Sequence, residues 1–266
     1  MQPRGRVLII AGSDSGGGAG VQADIKTVTA LGGYAASAIT AITVQNTLGV
    51  SGVHPIPAAV VTAQARAVLD DIGADAIKTG MLGDVPMVEA VGELVAGAGV
   101  AAVVDPVMIA KGGAALLTAD AMDALRRLLV PHAALLTPNA PEAGALTGVA
   151  VTSLDDQRRA AEILLRAGAR AVLMKGGHLA GARVVDLLIT PSGETAFEAE
   201  RSASRNTHGT GCTLASACAV GLAQGLPLTE AVARAWAYVQ EAIARARGFG
   251  GGHGPLDHGW PLRGRI

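Results

Sequence analysis

Short apolar segments alternate along this chain with longer stretches in which apolar residues recur at helical spacing. Each apolar segment is followed within three residues by Gly, Asp, Asn or Lys, as is typical of buried parallel strands that end in a loop. Strands are predicted at residues 7–11, 76–77, 100–104, 133–136 and 171–174. Helices are predicted at residues 58–70, 85–96, 119–130 (capped by Thr118), 155–167, 214–224 and 228–247.

This alternation predicts an α/β fold with a central, mostly parallel sheet flanked by helices on both faces. Residues 184–190 and 194–198 flank a Pro-Ser-Gly turn and predict a hairpin at one sheet edge. Neither a linker nor a repeat interrupts the pattern, so we expect one domain over residues 1–266. Ligands of such sheets bind beyond the carboxyl ends of the strands. That edge is predicted to carry Gly12, Asp105, Asn139 and Lys175.

Composition and net charge indicate which kind of molecule this protein binds. The 266 residues are 50% hydrophobic, which is ample for one core, and the net charge of −1 indicates neither nucleic acid nor a membrane surface as a partner. We therefore expect a small-molecule ligand. Acidic residues interrupt every long apolar stretch, so no membrane span is predicted, and the first apolar segment is too short for a signal peptide. Cys212 and Cys218 are expected to point apart on one helix, which suits a reducing cytoplasm.

Residues 206–213, Asn-Thr-His-Gly-Thr-Gly-Cys-Thr, precede a predicted helix and favour anion binding. Gly209 and Gly211 allow successive N–H groups to converge, and the helix adds the partial charge of its N-terminus. We expect the bound anion to be a phosphate. Cys212 lies in the same turn, where the helix dipole is expected to favour the ionised thiolate.

A second glycine-rich segment, residues 12–20, follows the first strand. It fits neither the G-x-G-x-x-G dinucleotide pattern nor a P-loop, which requires a lysine. We favour a loop whose backbone contacts the substrate over a tight turn that only needs small residues.

Polar residues at the other strand ends are candidates for phosphate chemistry. Asp105 and Glu142 can hold Mg²⁺ directly or through water, although Asn139 with Glu142 also resembles a helix capping box. Lys175 can neutralise a transferred phosphate, or it is simply a solvated lysine at a turn. The histidines lack metal-ligand spacing and receive no catalytic role: His178, His208, His253 and His258.

Taken together, these motifs resemble the hydroxymethylpyrimidine/phosphomethylpyrimidine kinases of thiamine biosynthesis, which have the ribokinase-like fold. The motifs occur in order from the first strand to the glycine-rich C-terminal segment. They lie at residues 12–24, 44–47, 77–81, 105–108, 137–142, 175–178 and 206–213.

The resemblance implies an enzyme that phosphorylates 4-amino-5-hydroxymethyl-2-methylpyrimidine and then its monophosphate. ATP and Mg²⁺ would be used in both steps, commonly by a homodimer, and a need for a monovalent cation stays open. The implied pyrimidine-binding residues are Gly12, Asp24, Val44, Gln45, Met81 and Val107. The implied ATP-side residues are Asp105, Asn139, Lys175 and Thr210, with Asp105 and Glu142 serving magnesium. The implied catalytic residues are Lys175 and the anion hole formed by Gly209, Thr210, Gly211 and Cys212.

Many ribokinase-like enzymes have aspartate where this chain has Cys212. We hypothesise that a weak, dischargeable base suits an enzyme whose nucleophile is first an alcohol and then a phosphate, because a fixed carboxylate would repel the latter. The alternatives are a pyridoxal/pyridoxine kinase or a dual-specificity kinase on the same scaffold, a non-catalytic metabolite-binding protein on the same fold, and a nucleotide-dependent oxidoreductase. The set Asp105, Glu142, Lys175 and Cys212 disfavours the binding protein, and the failed glycine pattern disfavours the oxidoreductase.

Overall fold

The computed structural model of this protein describes residues 5–109, 113 and 116–263, so both ends of the predicted domain lie outside it. Within these residues, nine strands form one sheet in the order β3-β2-β1-β4-β5-β6-β7-β8-β9. The strands are β1 (Arg6–Asp14), β2 (Tyr34–Asn46), β3 (Gly49–Pro55), β4 (Ala76–Thr79), β5 (Ala101–Val104), β6 (Leu135–Leu136), β7 (Val172–Met174), β8 (Arg183–Thr190) and β9 (Gly193–Glu200).

Helices cover both faces of this sheet, as predicted. Alternate residues of β1 show how the two cores form, since Leu8 and Ile10 enter one apolar cluster while Val7 and Ile9 enter the other. The first cluster lies under α2 to α6, and the second lies under α1, α7 and α8. The helices are α1 (Gly20–Ala30), α2 (Ala58–Asp71), α3 (Val85–Gly97), α4 (Ala119–Leu128), α5 (Ala140–Thr147), α6 (Leu154–Arg166), α7 (Thr210–Ala223) and α8 (Leu228–Ala244).

The six central strands run parallel, and the two edges are antiparallel. β1 pairs with β2 on one side and with β4 on the other, so the strand order reverses at β1. Such a reversal opens a crevice at the carboxyl ends of the strands, which is where Gly12 and the residues after β4 lie. The predicted edge hairpin is confirmed as β8 and β9.

A second edge hairpin, β2 with β3, is absent from our sequence-based prediction. The β2 segment contains many small residues (Ala, Ser and Thr), which form neither a continuous apolar run nor a strict alternation. Helix ends also differ by a few residues. The helix predicted at 119–130 ends at Leu128, and a 3₁₀ turn that contains Pro131 follows it. No helix within the described residues is both long and apolar enough to cross a bilayer.

Candidate active site

The turn before α7 has the geometry expected of an anion site. Gly209 is the N-cap of α7 with φ 81°, a left-handed conformation that favours glycine, and no side chain caps the described helix end. Its backbone presses against the loop of residues 12–20, because a Cβ on Gly209 would lie 1.8 Å from the carbonyl oxygen of Gly18. The two glycine-rich segments therefore form one continuous backbone surface. Thr210 begins the helix, and its hydroxyl donates to the carbonyl of Thr207.

Lys175 lies directly against this turn. Its Nζ donates to Oδ1 of Asp105 at 2.9 Å and lies 3.6 Å from Oε2 of Glu142. A Cβ on Gly211 would be 3.1 Å from the same Nζ, so a side chain at this position would require the lysine to shift. The structure thus brings together four of the predicted phosphate-side residues. The hydroxyl of Thr137 donates to Oδ1 of Asp105 and holds that carboxylate in place.

Burial and charge determine the protonation of this cluster. Burial raises the pKa of Glu142 to about 7, with Asp105 adding to the rise and Lys175 opposing it. Burial lowers the pKa of Lys175, but Asp105 and Glu142 outweigh that effect and the net shift is upward. Lys175 is therefore a permanent cation between two carboxyl groups.

The carboxylates of Asp105 and Glu142 fit a magnesium ion that is delivered with nucleotide. Carboxylate oxygens are ligands that Mg²⁺ accepts, and such ions take one or two carboxylates together with phosphate oxygens and water. Among the described residues, no group of three or more His, Cys, Asp or Glu side chains could hold a metal alone. The metal role of both residues stays a prediction.

Asn139 forms a complete capping box at the start of α5. Its Oδ1 accepts from the N–H of Glu142 at 2.9 Å, and Oε2 of Glu142 accepts from the N–H of Asn139 at 2.8 Å. The capping box that the sequence suggested for Asn139 and Glu142 is therefore present. The capping box also fixes the direction of the Glu142 carboxylate toward Lys175. Nucleotide binding by Asn139 stays a prediction.

The expectation of an ionised Cys212 is wrong for the ligand-free protein. Burial raises the pKa of this thiol to about 11, and the carboxylates of Asp24 and Asp105 add to the rise. Lys78 and the backbone N–H of Gly20 act in the opposite direction but are too weak to reverse it. The thiol is therefore neutral at pH 7.

Asp24 does not line an open pocket as the resemblance implied. Its side chain is fully buried and accepts from Nζ of Lys78 at 2.8 and 3.0 Å and from the hydroxyl of Ser216 at 2.7 Å. Burial disfavours the Lys78 cation, yet Asp24 raises its pKa overall. No role for Lys78 is predicted from the sequence. Its position inside a buried strand is the signal that indicates a buried partner.

The remaining substrate-side residues surround the crevice from β1, β2 and the loop after β4. A Cβ on Gly12 would lie 3.0 Å from Sδ of Met81, so these two residues are neighbours, and their role in binding the pyrimidine stays a prediction. Val107 follows Asp105 and is partly exposed. Val44 and Gln45 border a cavity of about 360 Å³ along the β2–β3 hairpin.

His208, to which we assigned no role, joins the anion turn to the substrate side. Its Nε2 lies 2.8 Å from Oδ2 of Asp14 and 3.3 Å from the side-chain amide of Gln45. A Cβ on Gly18 would be 2.5 Å from the imidazole, so the ring packs directly on the glycine loop. No spacing rule in the sequence indicates this contact, because it spans 163 residues.

We expect the stability difference between Glu142→Gln and the wild type to depend on pH. The pKa of Glu142 rises from 4.5 to about 7 on folding, so the folded state retains a proton that the unfolded state loses between these values. The stabilisation is full below pH 4.5 and is lost as the pH approaches 7. Glutamine stays neutral throughout. Between about pH 5 and 7.5, the free energy of unfolding of the variant should therefore rise relative to that of the wild type by on the order of 2 kcal/mol. Urea unfolding measures this gain, and a constant difference would contradict it.

We also expect Cys212 to alkylate slowly at neutral pH. In a Cys218→Ala background, Cys212 is the one remaining thiol of the chain. Its rate with iodoacetamide should rise about tenfold per pH unit to about pH 10, without a plateau, because only the thiolate reacts. Circular dichroism at each pH controls for unfolding. A plateau near neutral pH would instead support the thiolate expectation.

The comparisons with known proteins agree with this geometry. The model of the family described as phosphomethylpyrimidine kinase matches residues 14–257. A hydroxymethylpyrimidine/phosphomethylpyrimidine kinase of Streptomyces coelicolor is 53% identical over 96% of this chain and 95% of its own length. The thiamine biosynthesis bifunctional protein ThiED of Geobacter sulfurreducens is 52% identical over 96% of this chain, which spans 52% of that longer relative.

A solved structure of pyridoxal kinase from Staphylococcus aureus in complex with pyridoxal is also similar. It superposes with a TM-score of 0.90 at 37% identity and covers 97% of this chain and 95% of its own. This similarity confirms the ribokinase-like fold. Because one family model matches nearly the whole chain and a full-length relative shares more than half of its residues, this chain belongs to the phosphomethylpyrimidine kinase family.

Proposed function

We propose that this protein transfers phosphate from ATP to the hydroxymethyl group of 4-amino-5-hydroxymethyl-2-methylpyrimidine and then to the resulting monophosphate. Relatives of nearly equal length carry the name of this double activity. The observation that carries the proposal is the position of Lys175, which contacts Asp105 and Glu142 and lies against Gly211 of the anion turn. A cation, two carboxyl groups and a glycine turn at a helix N-terminus form the set that phosphoryl transfer requires.

Each of these groups would have its own role in binding the phosphates of ATP. Gly209, Thr210 and Gly211 would present backbone N–H groups to the transferred phosphate, and Lys175 would neutralise its charge. Magnesium bound with ATP would neutralise the remaining phosphate charge, held by Asp105 and Glu142. Because Lys175 already contacts both carboxyl groups, nucleotide binding must redistribute these contacts.

The acceptor side would use Gly12, Met81, Val44, Val107 and the amide of Gln45. In this region the neutral thiol of Cys212 has a specific advantage. A monophosphate nucleophile is already anionic, and a neutral group beside it causes no repulsion. Asp24, whose charge is balanced by Lys78, would act behind the pocket and not on its wall.

Three further features belong to this proposal. Exposed apolar side chains on the β2–β3 hairpin, Ile42, Val44, Leu48 and Val53, support a homodimer. Both cysteines are free, in keeping with a reducing cytoplasm. A monovalent cation beside the phosphates remains open to test by omitting K⁺ from the assay.

Pyridoxal is a second candidate substrate. The structural similarity to a pyridoxal kinase with pyridoxal bound favours it, and pyridoxal is also a hydroxymethyl heteroaromatic compound. The second transfer separates the two functions, since only the pyrimidine is expected to yield a diphosphate.

Mass spectrometry of the products made with MgATP tests the proposal directly. We expect the monophosphate and then the diphosphate of the hydroxymethylpyrimidine, with a lower kcat/KM for pyridoxal. Lys175→Met should reduce kcat for both transfers by about 100-fold or more, because it removes the charge that stabilises the transferred phosphate. Arg183→Met, which removes an exposed ion pair with Glu198 on the far hairpin, is the control. A diphosphate that never forms would contradict the proposal.

Cys212→Asp should impair the second transfer more than the first. The substitution places a carboxylate beside Asp24 and Asp105, where it would repel an anionic nucleophile but could assist an alcohol. We expect the ratio of the two single-turnover rates to change by about tenfold. An equal loss in both steps would remove charge repulsion as the reason for a thiol at this position.

A further inference from the structure

We propose that Arg201 is a positioning residue for the nucleotide, because it holds the loop after Lys175 in the conformation against which the nucleoside part of ATP binds. The inference rests on the proposed function, since it concerns how ATP is held while its phosphate is transferred. The loop in question, the β7–β8 loop, comprises residues 176–182 and leads from Lys175 into β8.

The β7–β8 loop lies on the side of the phosphate site that is away from the acceptor. The sheet runs from the β2–β3 hairpin and β1, which border the acceptor side, through β4, β5 and β6 to β7 and β8. Phosphoryl transfer places the attacking and leaving oxygens roughly in line, so ADP must extend away from the acceptor. The nucleoside part of ATP is therefore directed past Lys175 toward this loop.

The guanidinium of Arg201 holds the β7–β8 loop by three backbone carbonyls. Its Nε donates to the carbonyl of Gly181 at 2.8 Å, Nη1 donates to that of Gly177 at 2.8 Å, and Nη2 donates to that of Leu179. The backbone N–H of Arg201 also donates to the carbonyl of Ala182 at 2.7 Å. One rigid, planar group thus fixes the relative positions of three alternate peptide units.

Asp186 holds the start of the same loop from the protein interior. Its buried carboxylate accepts the N–H of Gly176 at 2.7 Å. A Cβ on Gly176 would lie 2.0 Å from the carbonyl oxygen of Val185, so the loop and β8 are in direct backbone contact there. Asp186 therefore fixes the first residue of the loop, whereas the exposed Arg201 fixes three residues further along it.

The composition of the loop makes it costly to order. Three of its seven residues are glycine, the residue that loses most conformational freedom when it is ordered. Gly181 has φ 122°, in the region that favours glycine, and a Cβ on Gly177 would meet nothing within 4 Å. If Arg201 did not order this loop, ATP would have to order it on binding, and the affinity for ATP would fall.

The test measures nucleotide binding and the two KM values separately. Arg201→Leu should raise the Kd of the magnesium complex of AMP-PCP, a non-hydrolysable ATP analogue, by about tenfold in calorimetry, because the loop is no longer ordered before binding. KM for ATP should rise by a similar factor. kcat and KM for the hydroxymethylpyrimidine should stay within about twofold of wild type, because Arg201 touches neither the acceptor side nor the anion turn.

Arg201→Lys separates geometry from charge. It keeps the cation but replaces the planar fork with one ammonium group, so it should still weaken AMP-PCP binding by about threefold or more. Arg158→Leu is the matched control. Arg158 is also an exposed arginine whose Nε, Nη1 and Nη2 all donate, but to Glu194 and Asp155 near the turn of the β8–β9 hairpin. Its KM for ATP should equal that of wild type.

The ratio of the two KM values distinguishes positioning from a general loss of structure. An equal rise of KM for ATP and for the pyrimidine in Arg201→Leu would overturn the inference. Wild-type affinity for AMP-PCP in Arg201→Lys would also overturn it, because charge and not loop geometry would then be responsible. Arg201→Lys keeps the test valid if Arg201→Leu does not fold. A wild type that makes no phosphorylated pyrimidine would instead reject the proposed function.

Discussion

The close approach of the backbone at Gly18 to the backbone at Gly209 is the contact on which the site depends. Any side chain at Gly209 would collide with the carbonyl of Gly18, so two segments nearly two hundred residues apart can form one surface only as glycines. The Asp14 carboxylate then holds the loop from within by accepting three of its N–H groups, and His208 connects that carboxylate to the anion turn. The N-terminus of α7 is thereby placed relative to β1.

Electrostatic balance is the second constraint on this region. Two lysines are placed among carboxylates, with Lys78 paired to Asp24 inside the protein and Lys175 paired to Asp105 at the sheet edge. A buried cation without its partner would be costly, so each lysine must stay next to its carboxylate. Charges of both pairs act on Cys212, and its thiol stays protonated because burial and the carboxylates of Asp24 and Asp105 outweigh Lys78. The anion turn therefore adds no negative charge of its own.

Much of the architecture follows from short-range pattern. The apolar runs located five of the strands, because a parallel strand buried on both faces is largely apolar, and the buried Lys78 in β4 is tolerated because it is paired with Asp24. The turn residues 191–193 located the hairpin of β8 and β9. The β2–β3 hairpin escaped prediction because its stability comes from pairing with β1, and small side chains such as Ala35 and Ala36 carry no periodic signal.

The chemistry of the site divides in the same way. The order of residues along the chain fixes which residue types follow each strand, and the geometry of parallel sheets then requires that Asp105 and Lys175 meet at one edge. The protonation of Cys212 could be read only from the folded protein, because solvation and neighbouring charges set it. The same holds for the partners of Gln45, because hydrogen bonds to His208 and Thr43 depend on where the chain returns in space and not on any spacing along it.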